Sequence, residues 1–333
     1  MATYHIVKPS SHEGWLEERK KGIGSSEVGA ILGVSRFSTP MKVWAKKIGL
    51  VPPEEESFVM KAGHELEPAV AHWFASCENV AVIAQSEGDW LAVDNEKPFL
   101  RVSPDRLFYY LDEDPTAENL CILECKSTSM KVDRESIPES WYWQVQYQMG
   151  VMGIRRSVVA WLSCYGGRFS FDYREIPFVA EHYDAAKAAL VRFWEYNVLQ
   201  RQQPDKVLSQ EDALLKWPKP QEGSSLVADE RICSLVDEYN RLDADVKLQE
   251  KRMDEISLEI RTVMEDKESL VNGQDEVLAT YKATTSSKFN GAAFKEANPE
   301  GYKEYEKYVT KTPTRTLKFK KPKRKAAGES ASA

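Results

Sequence analysis

The sequence predicts an α/β core of about 200 residues, followed by a C-terminal module that combines helix with a small β element. Helical spacing of apolar residues dominates residues 11–77. From Val80 onward the apolar runs become short and β-rich, and Gly, Pro, Asn or Asp separate them. One helical stretch interrupts these runs and a long one follows them. Strands bracketed and crossed by helices are typical of the α/β class.

The helices at the start of the chain are predicted from their terminal residues. Ser11 is a suitable N-cap for the first helix. A Gly-rich turn separates it from a second helix that begins near Ser25 and ends at Gly33. Pro40 takes the first position of a third helix, where a missing N–H is tolerated. Residues 57–77 are predicted as a fourth helix.

The strands are predicted from runs rich in β-branched and aromatic residues. Six such runs begin at Val80, Trp90, Phe99, Leu120, Arg155 and Arg168. A helix over residues 138–153 lies between the fourth and fifth runs, and a helix over residues 179–202 follows the sixth. The predicted core therefore ends near residue 203.

The C-terminal part begins after a predicted linker that contains several prolines. From Ile232 to Val263 apolar residues keep a spacing of three or four, interrupted at Gln249. This predicts a long amphipathic helix or a helical hairpin, which packs either on its own domain or in a coiled coil with another molecule. A turn at Gly273 with flanking strands and a short helix complete the module. We divide the chain into a core (1–203), a linker (204–224), a helical and small β module (225–314) and a basic, disordered tail (315–333).

The composition excludes several classes of protein. With 42% hydrophobic and 29% charged residues, it is that of a water-soluble globular protein. No apolar run approaches the roughly 20 residues of a membrane helix, and the first residues lack the apolar region of a secretory signal. Five cysteines without a CxxC pair favour reduced thiols over disulfides or a zinc site. We therefore expect a cytoplasmic protein with no membrane partner.

The net charge of −7 conceals an asymmetry. Residues 315–325 contain seven Lys or Arg and no acid, so the rest of the chain carries about −14. This acidic part of the chain can bind a polyanion only through a local basic surface. The tail itself either binds along the backbone of a polyanion or is a solvated, disordered segment.

Charged residues among strand formers give the strongest chemical signal. In the predicted strand over residues 121–126, Glu124 and Lys126 are two positions apart and share a face. Asp105 lies upstream, at the end of a strand in the preceding run. Two carboxylates and an ammonium are costly on the buried side of a sheet unless they pair or hold a metal ion. The alternative to a metal site is a cross-strand salt bridge at the rim of the sheet.

Phosphodiester hydrolysis is a reaction that suits this set of groups. Asp105 and Glu124, with the backbone carbonyl of Cys125, would hold Mg²⁺ or alternatively Mn²⁺, which activates water and neutralises the transition state. Lys126 would orient that water or help to deprotonate it, with a pKa lowered by the cation. The turn "GIGSS" lacks the Gly-Lys-Ser/Thr ending of a nucleotide-binding loop, so ATP is not expected.

Five short motifs follow one another along the chain: "WLEERKKGIGSSEVGAILG", "AGHELEPAV", "SPD", "ECK" and "YWQVQYQM". In this order, over about residues 11–200, they resemble the lambda-exonuclease-like (YqaJ-type) viral recombinase nucleases of the PD-(D/E)XK superfamily. The resemblance implies a core in which helices flank a mixed sheet. It also implies Mg²⁺-dependent removal of the 5′ strand from linear double-stranded DNA. In lambda exonuclease the subunits form a ring around the DNA.

The resemblance assigns roles to individual residues. Asp105 and Glu124 match the metal-binding acids of the family, and Lys126 matches its catalytic lysine. Glu67 matches a further acid, on a helix near the metals. Gln144 matches the helical glutamine that helps to place the water or the lysine.

A pocket for a 5′-terminal phosphate is matched by Arg19 and Ser26, and Ser103 belongs to the same polar rim. The Gly-rich turn between Arg19 and Ser26 places a helix start beside a guanidinium, which suits a phosphate. The alternative is that Arg19 lies on a solvated basic helix face. Gln146 competes with Gln144 by residue type, and the position in the motif favours Gln144.

The sequence and the resemblance together predict a 5′→3′ exonuclease that leaves 3′ overhangs for phage-type recombination in a bacterial host cell. The expected partners are linear double-stranded DNA, a single-strand-annealing protein and further copies of the chain in a ring trimer. One alternative is a structure-selective or nicking endonuclease on the same fold. The other is a non-catalytic DNA-end-binding protein, although the intact Asp105, Glu124 and Lys126 favour an enzyme.

Overall fold

The computed structural model describes residues 3–52, 57–83, 90–285 and 289–309. The chain divides into two compact units, Met1–Trp217 and Pro218–Ala333. The division lies inside the segment predicted as a linker. The domain boundaries deduced from the sequence stay predictions.

The α-helices of the first unit include the first one at its expected cap, Ser11. They are α1 (His12–Lys20), α2 (Val28–Ile31), α3 (Pro40–Lys47), α4 (Phe58–Cys77), α5 (Glu139–Met152), α6 (Ala180–Arg192) and α7 (Gln210–Lys216). The side chains of Ser11, Thr39 and Ser57 accept hydrogen bonds from backbone N–H groups of the first turns of α1, α3 and α4. A short 3₁₀ turn over Ser25–Glu27 precedes α2, as the predicted helix start near Ser25 requires.

The strands of the first unit form two sheets. They are β1 (Tyr4–Val7), β2 (Val80–Ile83), β3 (Leu91–Asp94), β4 (Arg101–Val102), β5 (Arg106–Tyr110), β6 (Cys121–Thr128), β7 (Arg156–Tyr165) and β8 (Arg168–Pro177). The larger sheet has the order β2-β5-β6-β7-β8 and is antiparallel except for the parallel pair β6–β7. The smaller sheet is antiparallel, with the order β1-β3-β4. The predicted mixed sheet flanked by helices is confirmed.

The two faces of the larger sheet bury different clusters of side chains. Helix α4 contributes Val70 and Phe74 to a cluster that includes Leu123 of β6. Helix α5 contributes Val145 and Met149 to a cluster on the other face, and this cluster includes Ile122 of β6. Because successive residues of a strand alternate between faces, the even-numbered residues of β6 lie on the α5 side.

The predicted linker over 204–224 is partly helical. Helix α7 lies within it, and Asp212 of this helix is completely buried. The Asp212 carboxylate accepts hydrogen bonds from Thr39 Oγ1 at 2.6 Å and from the backbone N of Leu208 at 2.8 Å. These contacts fasten α7 to the start of α3, so the segment up to Lys216 is part of the first unit.

The second unit contains α8 (Glu230–Met264), β9 (Ser269–Val271), β10 (Val277–Thr280), α9 (Gly291–Ala297) and α10 (Pro299–Glu306). Helix α8 runs without a break for 35 residues, so the helical-hairpin alternative is wrong. Strands β9 and β10 pair antiparallel around the predicted turn at Gly273. The basic run at 315–325 lies outside the described residues. Across the described parts of the chain, no helix is both long enough and apolar enough to span a membrane.

Candidate active site

The pairing of β5 with β6 brings the first predicted acid to the second. Arg106 of β5 lies opposite Leu123 of β6 in the antiparallel ladder. Asp105, one residue before β5, therefore lies beside the middle of β6. Its Oδ2 accepts a hydrogen bond from the backbone N of Cys125 at 2.7 Å. The predicted role of the Cys125 carbonyl as a metal ligand stays a prediction.

Glu124 and Lys126 lie on the same face of β6, as the strand period predicts. Glu124 is only 2% exposed, and its Oε1 accepts a hydrogen bond from Lys126 Nζ at 2.6 Å. Lys126 Nζ also donates to Gln144 Oε1 of α5 at 3.1 Å. Glu124 and Lys126 thus form an ion pair within one strand, unlike the cross-strand salt bridge considered as the alternative to a metal site. It lies in the interior, against α5, where an isolated carboxylate would be very costly.

Three glutamines of α5 have two different environments. Gln144 Nε2 donates to Glu124 Oε1 at 2.5 Å, and Gln148, one helical turn later, donates to Glu124 Oε2 at 2.8 Å. Gln146 makes its hydrogen bonds with backbone groups of Pro177 and Val179 instead. The structure therefore places Gln144, and not Gln146, at the acidic group.

Glu67 approaches the same region from α4. Its Oε1 accepts a hydrogen bond from Arg106 Nη1 at 2.6 Å, and Arg106 also donates to the backbone oxygen of Asp105. Glu65 is exposed, as expected for a surface acid of the same helix. Arg106 thus forms an ion pair with Glu67, the acid on helix α4.

The Gly-rich turn holds the predicted phosphate-binding pair together. Arg19 Nη2 donates to Ser26 Oγ at 2.9 Å, and the Arg19 guanidinium lies 4.6 Å from the centre of the Trp15 ring. A Cβ at Gly22 would lie 2.2 Å from the backbone oxygen of Phe99, so only glycine allows this approach. This close approach restricts the path of the backbone through the turn beside the end of α1.

All eight side chains predicted for the site line one cavity of about 330 Å³. They are Arg19, Ser26, Glu67, Ser103, Asp105, Glu124, Lys126 and Gln144. His12, Trp15, His64 and Arg101 line the same cavity and were not predicted. The structure thus gathers residues that are up to 125 positions apart in the chain, from Arg19 to Gln144.

The buried acids and the lysine of the cavity shift one another's pKa. Removal from water raises the pKa of Asp105 well above its ordinary value, and the charges of Glu124 and Glu67 add to this increase against the opposing charge of Lys126. For Lys126, burial by itself lowers the pKa, but Glu124 and Asp105 outweigh burial and the pKa is raised. The lower pKa predicted for Lys126 depends on a bound cation, so it stays a prediction.

The donor set of the cavity consists of carboxylate oxygens, the ligand type of a hard divalent cation. Among the described residues, no three His, Cys, Asp or Glu side chains form a ready-made ligand group. The carboxylates of Asp105, Glu124 and Glu67 accept hydrogen bonds from the protein instead. Lys126 and Arg106 accompany these three acids, and the main cause of the raised pKa of Asp105 is its removal from water. Carboxylate oxygens are the donors that Mg²⁺ or Mn²⁺ prefers.

Two further residues, which contact the acids of the site but do not line its cavity, were also missed by sequence reasoning. Gln148 lies four positions after Gln144, and this spacing puts both on one helix face, which could have revealed it. Arg106 follows Asp105 directly and contacts Glu67 from a different element. No sequence pattern connects residues 67 and 106, because their contact depends on how α4 packs on the sheet.

Comparison with known proteins places this cavity in a domain of a defined class. Residues 14–155 match the family model of the YqaJ-like viral recombinase domain, which confirms the resemblance inferred from the motifs. Every predicted site residue falls within this span. The chain is homologous to the uncharacterized protein YqaJ of Bacillus subtilis (strain 168), with 28% identity over 307 residues, 89% of this chain and 91% of that protein.

Solved structures with a similar fold include two exonucleases. LHK-Exo, an alkaline exonuclease from Laribacter hongkongensis solved in complex with dAMP, is 16% identical, with a TM-score of 0.42 over 55% of this chain and 91% of that one. A phage-related exonuclease from Haemophilus somnus 129PT is 12% identical, with a TM-score of 0.36 over 54% of this chain and 96% of that one.

Proposed function

We propose that this protein is a metal-dependent deoxyribonuclease that digests linear double-stranded DNA from its 5′ ends and leaves 3′ overhangs for strand-annealing recombination. One observation carries the proposal: eight side chains chosen from separate motifs line a single cavity. The match of residues 14–155 to a viral recombinase domain supports DNA as the substrate.

The acidic group provides a place for the metal. Asp105 and Glu124, with the Cys125 carbonyl and with Glu67 nearby, would hold Mg²⁺ or Mn²⁺. When bound, the ion supplies an activated water and neutralises charge on the scissile phosphate. The carboxylates lie on adjacent strands whose pairing is fixed by the ladder, so their separation is set by the sheet.

Lys126 and Gln144 organise the attack on the phosphate. The Lys126 ammonium is held between Glu124 Oε1 and Gln144 Oε1, at 2.6 Å and 3.1 Å. From this position it orients the attacking water and stabilises negative charge that develops on the phosphate oxygens. Gln144 contacts both Lys126 and Glu124, so it fixes the distance between the lysine and the acid.

The preference for a 5′ end comes from Arg19 and Ser26. The guanidinium and the hydroxyl are 2.9 Å apart, and both line the cavity together with Ser103. A terminal phosphate has one more free oxygen and more negative charge than an internal phosphodiester, so it binds a guanidinium more strongly. Capture of that phosphate would set the first phosphodiester beside Lys126.

The proposal includes two kinds of protein partner, both supported by the resemblance to viral recombinase nucleases. Further copies of the chain would form a ring, expected to be a trimer, and a single-strand-annealing protein would take over the exposed 3′ strand. Sedimentation of the purified chain, with and without a linear duplex, measures the number of subunits.

The test uses linear duplexes labelled at one 5′ end or one 3′ end, beside a closed circular duplex, all with Mg²⁺. The proposal predicts early release of the 5′ label, retention of the 3′ label on long strands and intact circles. Nicked circles would instead establish the endonuclease alternative. Binding to duplex ends without any cleavage would establish the non-catalytic alternative.

A further inference from the structure

Gln148 of α5 is completely buried and contacts the carboxylate of Glu124. Its Nε2 donates to Glu124 Oε2 at 2.8 Å and lies 3.3 Å from Ser25 Oγ, within hydrogen-bond distance. Lys126 and Gln144 both donate to the other oxygen, Oε1. Gln148 therefore holds the oxygen of Glu124 that these two side chains leave open.

The orientation of the Gln148 amide is determined by the carboxylate. Gln148 Oε1 is buried and has no hydrogen-bond partner among the described residues. A buried acceptor without a partner costs free energy, and native proteins contain few of them. Reversing the amide would place this oxygen against Glu124, which would repel it. The contact with Glu124 therefore decides the orientation, even though Oε1 stays unpaired.

Gln148 also connects the two halves of the site. Ser25 belongs to the Gly-rich turn, directly before Ser26 of the proposed phosphate pocket, and it is buried. The chain of contacts Ser25–Gln148–Glu124 runs from this turn to the acid on β6. The rotation of the Glu124 carboxylate is thus restrained from the helix and from the turn together.

We propose that Gln148 is a positioning residue that fixes the plane of the Glu124 carboxylate for metal binding. This rests on the proposed function, because Glu124 is taken as a metal ligand. Residues that orient metal ligands without touching the metal typically contribute 10- to 100-fold to metal affinity or activity. The same range is expected for Gln148.

Gln146 provides a matched control on the same helix. It is as buried as Gln148, and its amide hydrogen-bonds with Pro177 O at 2.7 Å and Val179 N at 2.9 Å, so among the described residues its hydrogen bonds go to backbone groups and not to the acids. Gln148→Met and Gln146→Met each replace a buried amide with an apolar side chain of similar length. A general effect of losing a buried amide should therefore appear in both variants.

The experiment is a calorimetric titration of the purified full-length chain with Mg²⁺ alone. Gln148→Met should raise the Mg²⁺ dissociation constant by about 10- to 100-fold, whereas Gln146→Met should lower the melting temperature and change this constant by less than about twofold. DNA cleavage by Gln148→Met should recover as Mg²⁺ is raised. If Gln148→Met does not fold, Gln148→Asn keeps the amide but is one methylene too short, and it should show the same weakening.

A Gln148 variant that binds Mg²⁺ within twofold of the wild type would overturn the proposal. Absence of Mg²⁺ binding by the wild-type chain would overturn the proposed function instead. In that case the role of Gln148 is decided by the free energies of unfolding of the Gln148→Met, Glu124→Gln and doubly substituted chains. Destabilisations that are less than additive support positioning of Glu124 by Gln148, and additive ones refute it.

Discussion

The two units of this protein differ in how they bury apolar side chains. The first unit has two clusters of fully buried residues, one on each face of its larger sheet. In the described part of the second unit, Met264 is the one buried residue. Most of the large apolar residues along α8, from Ile232 to Val263, are 37% to 71% exposed, and Val236 is partly buried. The first unit thus has a core of its own, and the described second unit has almost none.

This difference determines which unit can hold catalytic side chains in fixed positions. The Glu124 carboxylate is accommodated in the interior because β6 and α5 hold its hydrogen-bond partners in place, and such fixed positions require a packed core. Helix α8 is supported by local features instead, such as its Asp229 cap and the ion pair of Lys251 with Glu255. Each local feature of this kind contributes only about 1 kcal/mol to stability. We therefore predict that the second unit contributes to binding other molecules more than to catalysis.

The largest expected effect comes from removing charges in the first unit. Glu124→Gln or Lys126→Ala should reduce DNA cleavage by about 10²- to 10⁴-fold or more, because each removes a group that acts on the reacting phosphate. Binding of duplex DNA in Ca²⁺ should persist. Glu65→Gln, on the exposed side of α4, is the control and should cleave like the wild type. Wild-type cleavage by either site variant, once shown to be folded, would end the assignment of the site.

Removal of the metal should have a similarly large effect. Excess EDTA should abolish cleavage, and Mg²⁺ or Mn²⁺ should restore it, because the site offers oxygen donors of the kind these ions prefer. The measurement is release of a 5′ label from a linear duplex at increasing concentrations of each ion. Full activity in EDTA would contradict the metal-dependent mechanism.

A tenfold to hundredfold effect is expected at the phosphate pocket. A charge-assisted hydrogen bond to a terminal phosphate is worth roughly 1.5–3 kcal/mol, or about ten- to a hundredfold in rate if it acts in the transition state. Arg19→Ala should therefore slow digestion of a 5′-phosphorylated duplex and leave a 5′-hydroxyl duplex unaffected. Lys20→Ala is the control, since Lys20 is exposed and pairs with Glu17.

Two results would contradict this assignment of Arg19. Equal digestion of both duplexes by the wild type would show that no terminal-phosphate pocket operates. Equal slowing of both duplexes by Arg19→Ala, reproduced by raised salt, would show that Arg19 only attracts DNA, because salt screens exposed charges. Rates measured at two salt concentrations for each variant separate these cases.

The sequence predicts the site well where one strand or one motif determines it. The alternation of β6 gives the shared face of Glu124 and Lys126, and cap residues give the starts of α1 and α3. Contacts between distant elements are not encoded in local patterns. The pairing of Glu67 with Arg106 depends on the packing of α4, and the contact of Gln148 with Glu124 depends on the depth at which α5 lies on the sheet.

The same limit applies at the end of the core, where part of the predicted linker is helical. The prolines after residue 203 suggest a linker, but Asp212 finds a buried partner in Thr39, which lies 173 positions earlier. A carboxylate whose burial depends on such a distant hydroxyl is indistinguishable from a solvated acid in the sequence. The predicted alternatives for α8 also could not be separated, because helix and hairpin have the same apolar spacing.

The smallest expected effect concerns the boundary between the two units and is measured on truncated chains. A chain that ends at Trp217 should bind Mg²⁺ like the full chain and degrade DNA measurably but poorly, since every site residue is retained and the second unit is predicted to hold DNA or a partner. A chain that ends at Gln203 should have the same site but lower stability. It lacks Asp212, whose carboxylate accepts two hydrogen bonds in the interior. Each such bond to a charged group contributes about 1.5–3 kcal/mol, which corresponds to a decrease of several degrees in melting temperature.

Three measurements decide this comparison of the units: melting temperature, Mg²⁺ titration and retention on a linear duplex. Asp212→Ala in the chain ending at Trp217 should reproduce part of the destabilisation, because it leaves Thr39 without its buried acceptor. Equal melting temperatures for the two truncated chains would show that α7 does not belong to the first unit. Loss of Mg²⁺ binding from a folded chain ending at Trp217 would show that the second unit contributes to the site, and the division between chemistry and binding would then fail.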